Sequence, residues 1–128
     1  LVGSEMCIRD RNMVGLPEEL LEKSPFDLSG GQKRRAAIAG VLAMEPKVLI
    51  LDEPITGLDP AAAQELYRTL EYLNKQEGIA IVAVTHDIRS ALRYADHILH
   101  AGHGTYFFGT AADYLTSPWG KRFGGDEA

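Results

Sequence analysis

Two runs of consecutive apolar residues dominate the hydrophobic pattern of this chain. Residues 48–51 read Val-Leu-Ile-Leu, and residues 79–84 are entirely apolar. Continuous rather than alternating hydrophobicity is typical of parallel strands that helices cover on both faces. We therefore predict two buried strands, each followed by polar residues.

Helical spacing fills the segments beside these strands. A helix is predicted over about 30–44, because Ile38 and Leu42 recur at a helical interval and a proline follows. Asp59 and Pro60 are typical of an N-cap and a first helical position, and they open a second helix that runs to about residue 77. The apolar positions of this second helix share one face: Leu66, Leu70 and Leu73.

The remainder of the chain continues the alternation of strand and helix. Asp87 is placed to cap a further helix, and short strands are predicted near 98–99 and 106–108. Alternating strands and helices predict an α/β fold, a mostly parallel sheet flanked by helices with right-handed crossovers.

The two ends of the chain lack this regularity. Residues 1–12 have neither helical nor strand periodicity, and they resemble a non-native, translated sequencing adapter; the alternative is a disordered natural terminus. Residues 119–128 are polar and rich in glycine, so we expect a flexible tail. The folded domain itself is expected over 13–118.

Composition excludes several classes of protein. The chain is 45% hydrophobic and 24% charged, which is ordinary for one globular domain. Its formal net charge of −5 gives no sign of nucleic-acid binding. No apolar run approaches the roughly 18 to 20 residues that cross a bilayer, so no direct membrane insertion is expected. The single cysteine, Cys7, excludes an internal disulfide.

The segment Ser-Gly-Gly-Gln at 29–32 begins the first long helix. Ser29 and Gln32 fit a capping box, so the segment could serve only to start that helix. Gly30 and Gly31 argue for more, because glycine weakens a first turn unless something must approach the backbone closely. Exposed amides at a helix N-terminus bind phosphate well, and we predict a phosphate contact here.

Two carboxylates follow the first apolar run. Asp52 has the residue type and position to hold Mg²⁺ through water, because magnesium retains its hydration shell. Glu53 points in a different direction and is placed to orient or deprotonate an attacking water. An acidic pair that only caps the next element is the alternative, although Pro54 favours a fixed, functional turn.

The histidines divide into two groups. His86 follows the second apolar run, so it is expected at the same sheet edge as the carboxylates and in contact with a terminal phosphate or the water. A lone histidine is more often structural or simply exposed. His100 and His103 flank Ala101 and Gly102, and they are predicted at a hairpin turn rather than in a metal site.

These segments together resemble the ATP-binding-cassette (ABC) ATPases. Residues 28–32 resemble the signature motif, 48–53 Walker B, 57–60 the D-loop, and His86 the switch histidine. The resemblance extends over about 13–116 and is closest to the ATPases of energy-coupling-factor importers for vitamins or metal ions. No counterpart of the Walker A phosphate loop occurs in the 128 residues. The implied fold is the C-terminal portion of the ABC (P-loop NTPase) fold, with part of the signature helical subdomain.

The resemblance also implies a site shared between two chains. In this family two cassettes face each other head to tail, and each ATP lies between them. The signature would then contact an ATP bound mainly to the partner, through Ser29, Gly30, Gly31 and Gln32. Asp59 would touch the partner across the interface.

The remaining motif residues would serve the chain's own ATP. Glu53 and His86 are the implied catalytic residues, His86 also contacts the nucleotide, and Asp52 is the implied Mg²⁺ ligand. The implied partners are a second ABC ATPase subunit, identical or paralogous, and transmembrane permease subunits. They would hold the protein peripherally at the cytoplasmic face of the cell membrane.

The implied function is ATP binding and hydrolysis that powers membrane import. Because the phosphate loop is absent, we expect this chain to be a fragment of a longer ATPase and to be inactive alone. Two alternatives stay open at this point: a non-transport ABC ATPase, and a degenerate cassette that only completes a partner's ATP site.

Overall fold

The structure, a computed structural model, describes residues 3–124 and divides the chain into two compact units, Leu1–Val84 and Thr85–Ala128. The first unit contains helices α1 (Gly3–Met13), α2 (Gly30–Leu42) and α3 (Pro60–Lys75) and strands β1 (Val48–Asp52) and β2 (Ala80–Val84). Two short 3-10 helices, Glu18–Glu22 and Pro25–Asp27, lead from α1 to α2.

Helix α3 connects the two strands of the first unit. Strands β1 and β2 pair in parallel, with Leu49 opposite Ile81. The carboxylate of Asp59 accepts a hydrogen bond from the amide of Ala62 at 2.9 Å, and this N-cap starts α3 as predicted. The predicted inner face of the helix is confirmed, because Leu66, Leu70 and Leu73 are all buried. The expected α/β unit with a parallel strand pair is therefore present.

The strand pair is covered on only one face. Leu49 is 4% exposed, whereas Ile50 is 71% exposed and its neighbour Val82 is 49% exposed. The prediction that both strands are buried on both faces is therefore wrong for this chain. Within the described part of the first unit, residues 3–84, no element covers the face that carries Ile50, although its apolar sequence is typical of a covered face.

The second unit is built around a β-hairpin. Its elements are α4 (Ile88–Tyr94), β3 (His97–Gly102), β4 (Thr105–Thr110), α5 (Ala111–Thr116) and α6 (Pro118–Gly124). The turn residues are His103 and Gly104, whose φ angles of 50° and 77° are typical of a type I′ turn. The predicted turn is thus confirmed at His103, but His100 lies within β3, where its ring Nδ1 is 2.7 Å from the hydroxyl of Tyr114.

The N-terminal segment is more regular than its sequence pattern indicated. Helix α1 covers most of 1–12, where periodicity predicted no element, and it packs against α2 and α3. Asp10 is 1% exposed there, and neither carboxylate oxygen has a hydrogen-bond partner among the described residues. Its Oδ1 lies 3.5 Å from Nε of the half-exposed Arg9, and this ion pair offsets part of the cost of burying the carboxylate. That 1–12 is not native to the protein stays a prediction.

The C-terminal segment is also helical up to Gly124, which corrects the expected tail over 119–128 in part. Helix α6 packs closely against the preceding helix α5, because a Cβ on Gly120 would overlap the carbonyl oxygen of Tyr114. The ring of Trp119 lies 4.4 Å from that of His100. Polarity alone does not reveal such packing, and 125–128 lie outside the described residues.

Candidate functional site

The signature segment forms a complete capping box at the start of α2. The hydroxyl of Ser29 accepts a hydrogen bond from the amide of Gln32 at 3.2 Å, and the Gln32 side-chain oxygen accepts one from the amide of Ser29 at 3.0 Å. The amides of Gly30 and Gly31, at the first two helical positions, have no partner within the helix. The capping interpretation is thus realised, and it leaves these two amides at the helix N-terminus.

The two glycines allow a close approach within the chain itself. A Cβ on Gly30 would lie 3.2 Å from Cδ2 of Leu58, and one on Gly31 would lie 3.3 Å from Cβ of Ala62. Leu58 precedes α3 and Ala62 lies in its first turn. The close neighbours that the structure places at these glycines are Leu58 and Ala62, whereas the predicted phosphate contact stays a prediction.

Glu53 follows β1 in a left-handed conformation. Its φ angle is 46°, which is uncommon and strained for a residue other than glycine. Its amide donates to the carbonyl oxygen of Val84 at 2.8 Å, and its carboxylate accepts from the hydroxyl of Thr56 at 3.4 Å. The left-handed residue directs the chain away from the strand, while Asp52 remains exposed at the end of β1.

Arg34 connects α2 to the turn that follows Glu53. Its guanidinium donates to the carbonyl oxygen of Glu53 at 3.4 Å and to those of Pro54 and Thr56. No sequence pattern indicates this role for Arg34, because only the fold brings residues about twenty positions apart together. The next residue, Arg35, is 7% exposed and pairs with Glu65 of α3 at 2.9 Å.

His86 belongs to the second unit, two residues beyond Val84, which pairs with Asp52. It is exposed, and its contact with a phosphate or with the carboxylates stays a prediction. The neighbouring Asp87 caps α4 by accepting hydrogen bonds from the hydroxyl and amide of Ser90 at 2.6 and 3.1 Å. These bonds lower the pKa of Asp87, the hydroxyl contributing most.

The chemistry of the strand end is compatible with a hydrated cation. Within residues 3–124, no three His, Cys, Asp or Glu side chains converge as a metal cluster. Mg²⁺ needs no such cluster, because one or two carboxylates, water and phosphate oxygens hold it. The exposed carboxylate of Asp52 fits that arrangement. No helix in the described part of the chain is long and apolar enough to cross a membrane.

Comparison with known proteins agrees with this geometry. The family model described as "AAA domain, putative AbiEii toxin, Type IV TA system" matches residues 17–90, more than half of the chain. The chain therefore belongs to this AAA-domain family.

The relatives carry more specific descriptions. The energy-coupling factor transporter ATP-binding protein EcfA2 of Latilactobacillus sakei subsp. sakei is 59% identical over 87 residues, 68% of this chain and 30% of that protein. EcfA2 of Ligilactobacillus salivarius is 56% identical over 97 residues, 75% of this chain and 34% of that protein. The resemblance to energy-coupling-factor ATPases is therefore confirmed. The chain spans about a third of the length of these curated relatives.

Solved structures support the fold. CbiO1 from Clostridium perfringens, part of the ABC transporter complex cbiONQ, is 37% identical with a TM-score of 0.81, over 96% of this chain and 49% of that one. The predicted ABC fold is thereby confirmed, with the chain spanning about half of that structure.

Proposed function

We propose that this chain is part of the ATP-binding subunit of an ABC importer of the energy-coupling-factor type, for vitamins or metal ions. The parent protein would bind and hydrolyse ATP to power transport. The observation that carries the proposal is the position of Glu53, directly after Asp52 at the carboxyl end of a parallel strand. Open α/β sheets bind their ligands at that edge.

In this proposal Glu53 orients or deprotonates the water that attacks the γ-phosphate. Its left-handed backbone and the hydrogen bond from Thr56 hold the carboxylate in one direction. His86 would contact the same phosphate or the water, and Asp52 would hold Mg²⁺ through water. The cation would supply positive charge to the phosphate oxygens when bound.

The start of α2 is assigned to the ATP of the partner subunit. The capping box does not conflict with this role, because it uses only acceptor atoms of the Ser29 and Gln32 side chains. The hydroxyl of Ser29 and the side-chain NH₂ group of Gln32 can therefore still donate hydrogen bonds to a phosphate. The amides of Gly30 and Gly31 lie at the N-terminus of α2, where the positive end of the helix dipole also favours phosphate binding.

Completion of this site requires further segments of a cassette. The exposed apolar side chains on one face of the strand pair support this requirement: Val48, Ile50, Val82 and Val84. A second ABC ATPase subunit, identical or paralogous, would meet the signature and Asp59. Permease subunits would hold the pair at the cytoplasmic face of the membrane.

The test of the function uses the complete ATPase in its transporter. Glu53→Gln should abolish ATP hydrolysis, retain ATP binding and trap the closed dimer, because it removes the base but little volume. Glu71→Gln, at an exposed position of α3, is the matched control and should keep wild-type turnover. Loss of ATP binding by Glu53→Gln would mean that Glu53 is structural and would overturn its assigned role.

A second experiment addresses the chain alone. The purified 128-residue chain should show no ATPase activity and only weak affinity for nucleotide, since it contains no phosphate loop. Turnover by this chain that Glu53→Gln removes would contradict the proposal that further segments are required.

A further inference from the structure

We propose that Arg34 is a positioning residue for ATP hydrolysis, because it holds the turn that carries Glu53 against α2. The inference rests on the proposed function of Glu53. The guanidinium of Arg34 donates to the carbonyl oxygens of three residues in that turn, Glu53, Pro54 and Thr56. Arg34 itself would not touch the nucleotide.

Backbone hydrogen bonds fix the two ends of this turn: the amide of Glu53 donates to the carbonyl oxygen of Val84 at 2.8 Å, and that of Leu58 donates to the carbonyl oxygen of Ile55 at 3.0 Å. Glu53 has a strained φ angle of 46°, and Pro54 has no amide hydrogen to donate. The amide of Thr56 donates a hydrogen bond to the carbonyl oxygen of Glu53 at 3.3 Å. Partly buried carbonyl oxygens need donors, and the Arg34 side chain supplies them from a neighbouring helix.

The geometry requires arginine rather than any cation. Nη1 of Arg34 donates to the carbonyl oxygens of Glu53 and Pro54, and Nη2 donates to that of Thr56. A planar guanidinium offers its five donors in a fixed fork, whereas a lysine presents one nitrogen on a flexible stem. Arg34→Lys therefore preserves the charge but removes the simultaneous contact with separate carbonyl groups.

Helix α2 and the segment that follows Glu53 are in contact at a second place. Gly30 in the first turn of α2 lies against Leu58, two residues after Thr56. The position of the Glu53 carboxylate is thus set relative to the helix that begins with the signature segment. Loss of the Arg34 contacts would leave the left-handed turn free to relax and would displace the carboxylate from the attacking water.

The kinetic test uses the complete ATPase. Arg34→Lys should lower kcat by about 10- to 100-fold and leave the KM for ATP within about threefold, as expected when a supporting contact behind a catalytic group is lost. Arg68→Lys, at an exposed position of α3, is the control and should change neither value. An unchanged kcat in Arg34→Lys would overturn the inference while the role of Glu53 stands.

Hydrogen exchange provides a readout independent of turnover. The amides of Thr56 and Leu58, which bond within the turn, should exchange about tenfold faster in Arg34→Lys, while the melting temperature stays close to wild type. Unchanged exchange would also overturn the inference. If Glu53→Gln retained full turnover, the proposed function would fail instead, and the positioning role would fail with it.

Discussion

Gly31 in the first turn of α2 lies against Ala62 in the first turn of α3, so closely that a Cβ on Gly31 would be 3.3 Å from Cβ of Ala62. Both Cβ atoms would be bonded directly to helical backbone and have no rotamer that moves them apart, so relief requires the helices to separate. We expect Gly31→Ala to destabilise the chain by about 1 kcal/mol, although alanine is the better helix former. Urea unfolding of the 128-residue chain measures this change.

Gly40, in the same helix, is the matched control. A Cβ there meets no atom of the described residues within 4 Å. Gly40→Ala should therefore stabilise the chain by about 0.5 to 1 kcal/mol through helix propensity alone. Equal effects of the two substitutions would show that the contact with Ala62 does not limit the approach of the helices.

The exposed face of the strand pair predicts a difference between this chain and the complete ATPase. Ile50 is 71% exposed here, so Ile50→Ala should change the free energy of unfolding by no more than about 1 kcal/mol. In the complete protein, where we expect that face to be covered, the same change should cost about 2 to 5 kcal/mol. Leu49→Ala, at a position 4% exposed, should be costly in both.

Asp87 predicts a loss of stability in acid. Hydrogen bonds from Ser90 lower the pKa of Asp87 in the folded state, so this carboxylate stabilises the chain above its unfolded pKa of about 3.9. The stabilisation is lost as the pH falls through the lowered folded pKa. Asp87→Asn keeps a good N-cap that does not titrate. Its stability should fall less than that of wild type between pH 6 and pH 2, and parallel curves would contradict the assignment.

Tyr114 predicts the opposite behaviour in base. Burial raises the pKa of Tyr114, so its contribution is fully present below the unfolded pKa of about 10 and is lost as the pH rises through the raised folded pKa. Tyr114→Phe removes the titrating hydroxyl, so this loss of stability at high pH should disappear. It also removes the 2.7 Å hydrogen bond with His100, which should lower the free energy of unfolding by about 1 kcal/mol at pH 8. Tyr106→Phe, at a position 74% exposed, serves as the control in the same thermal unfolding series.

The features that depend on local chemistry could be predicted from the residues alone. The strand that ends at Asp52, the N-cap at Asp59 and the buried face of α3 follow from apolar runs, capping residues and helical spacing. The hairpin turn at His103 and Gly104 was predicted within a few residues for the same reason. The order and spacing of the motifs were also enough to indicate the family, because each motif is a short continuous run of residues.

The tertiary structure decided which of these segments touch. Arg34 reaches Pro54 across 20 positions, and Gly31 meets Ala62 across 31 positions, and no local pattern encodes either contact. Packing also placed Gly120 in a helix against Tyr114, where the polar sequence predicted a tail. The exposed face of β1 is the converse case. Its residues are apolar enough for burial, but burial depends on a covering element, and that is a property of the assembled fold rather than of the strand.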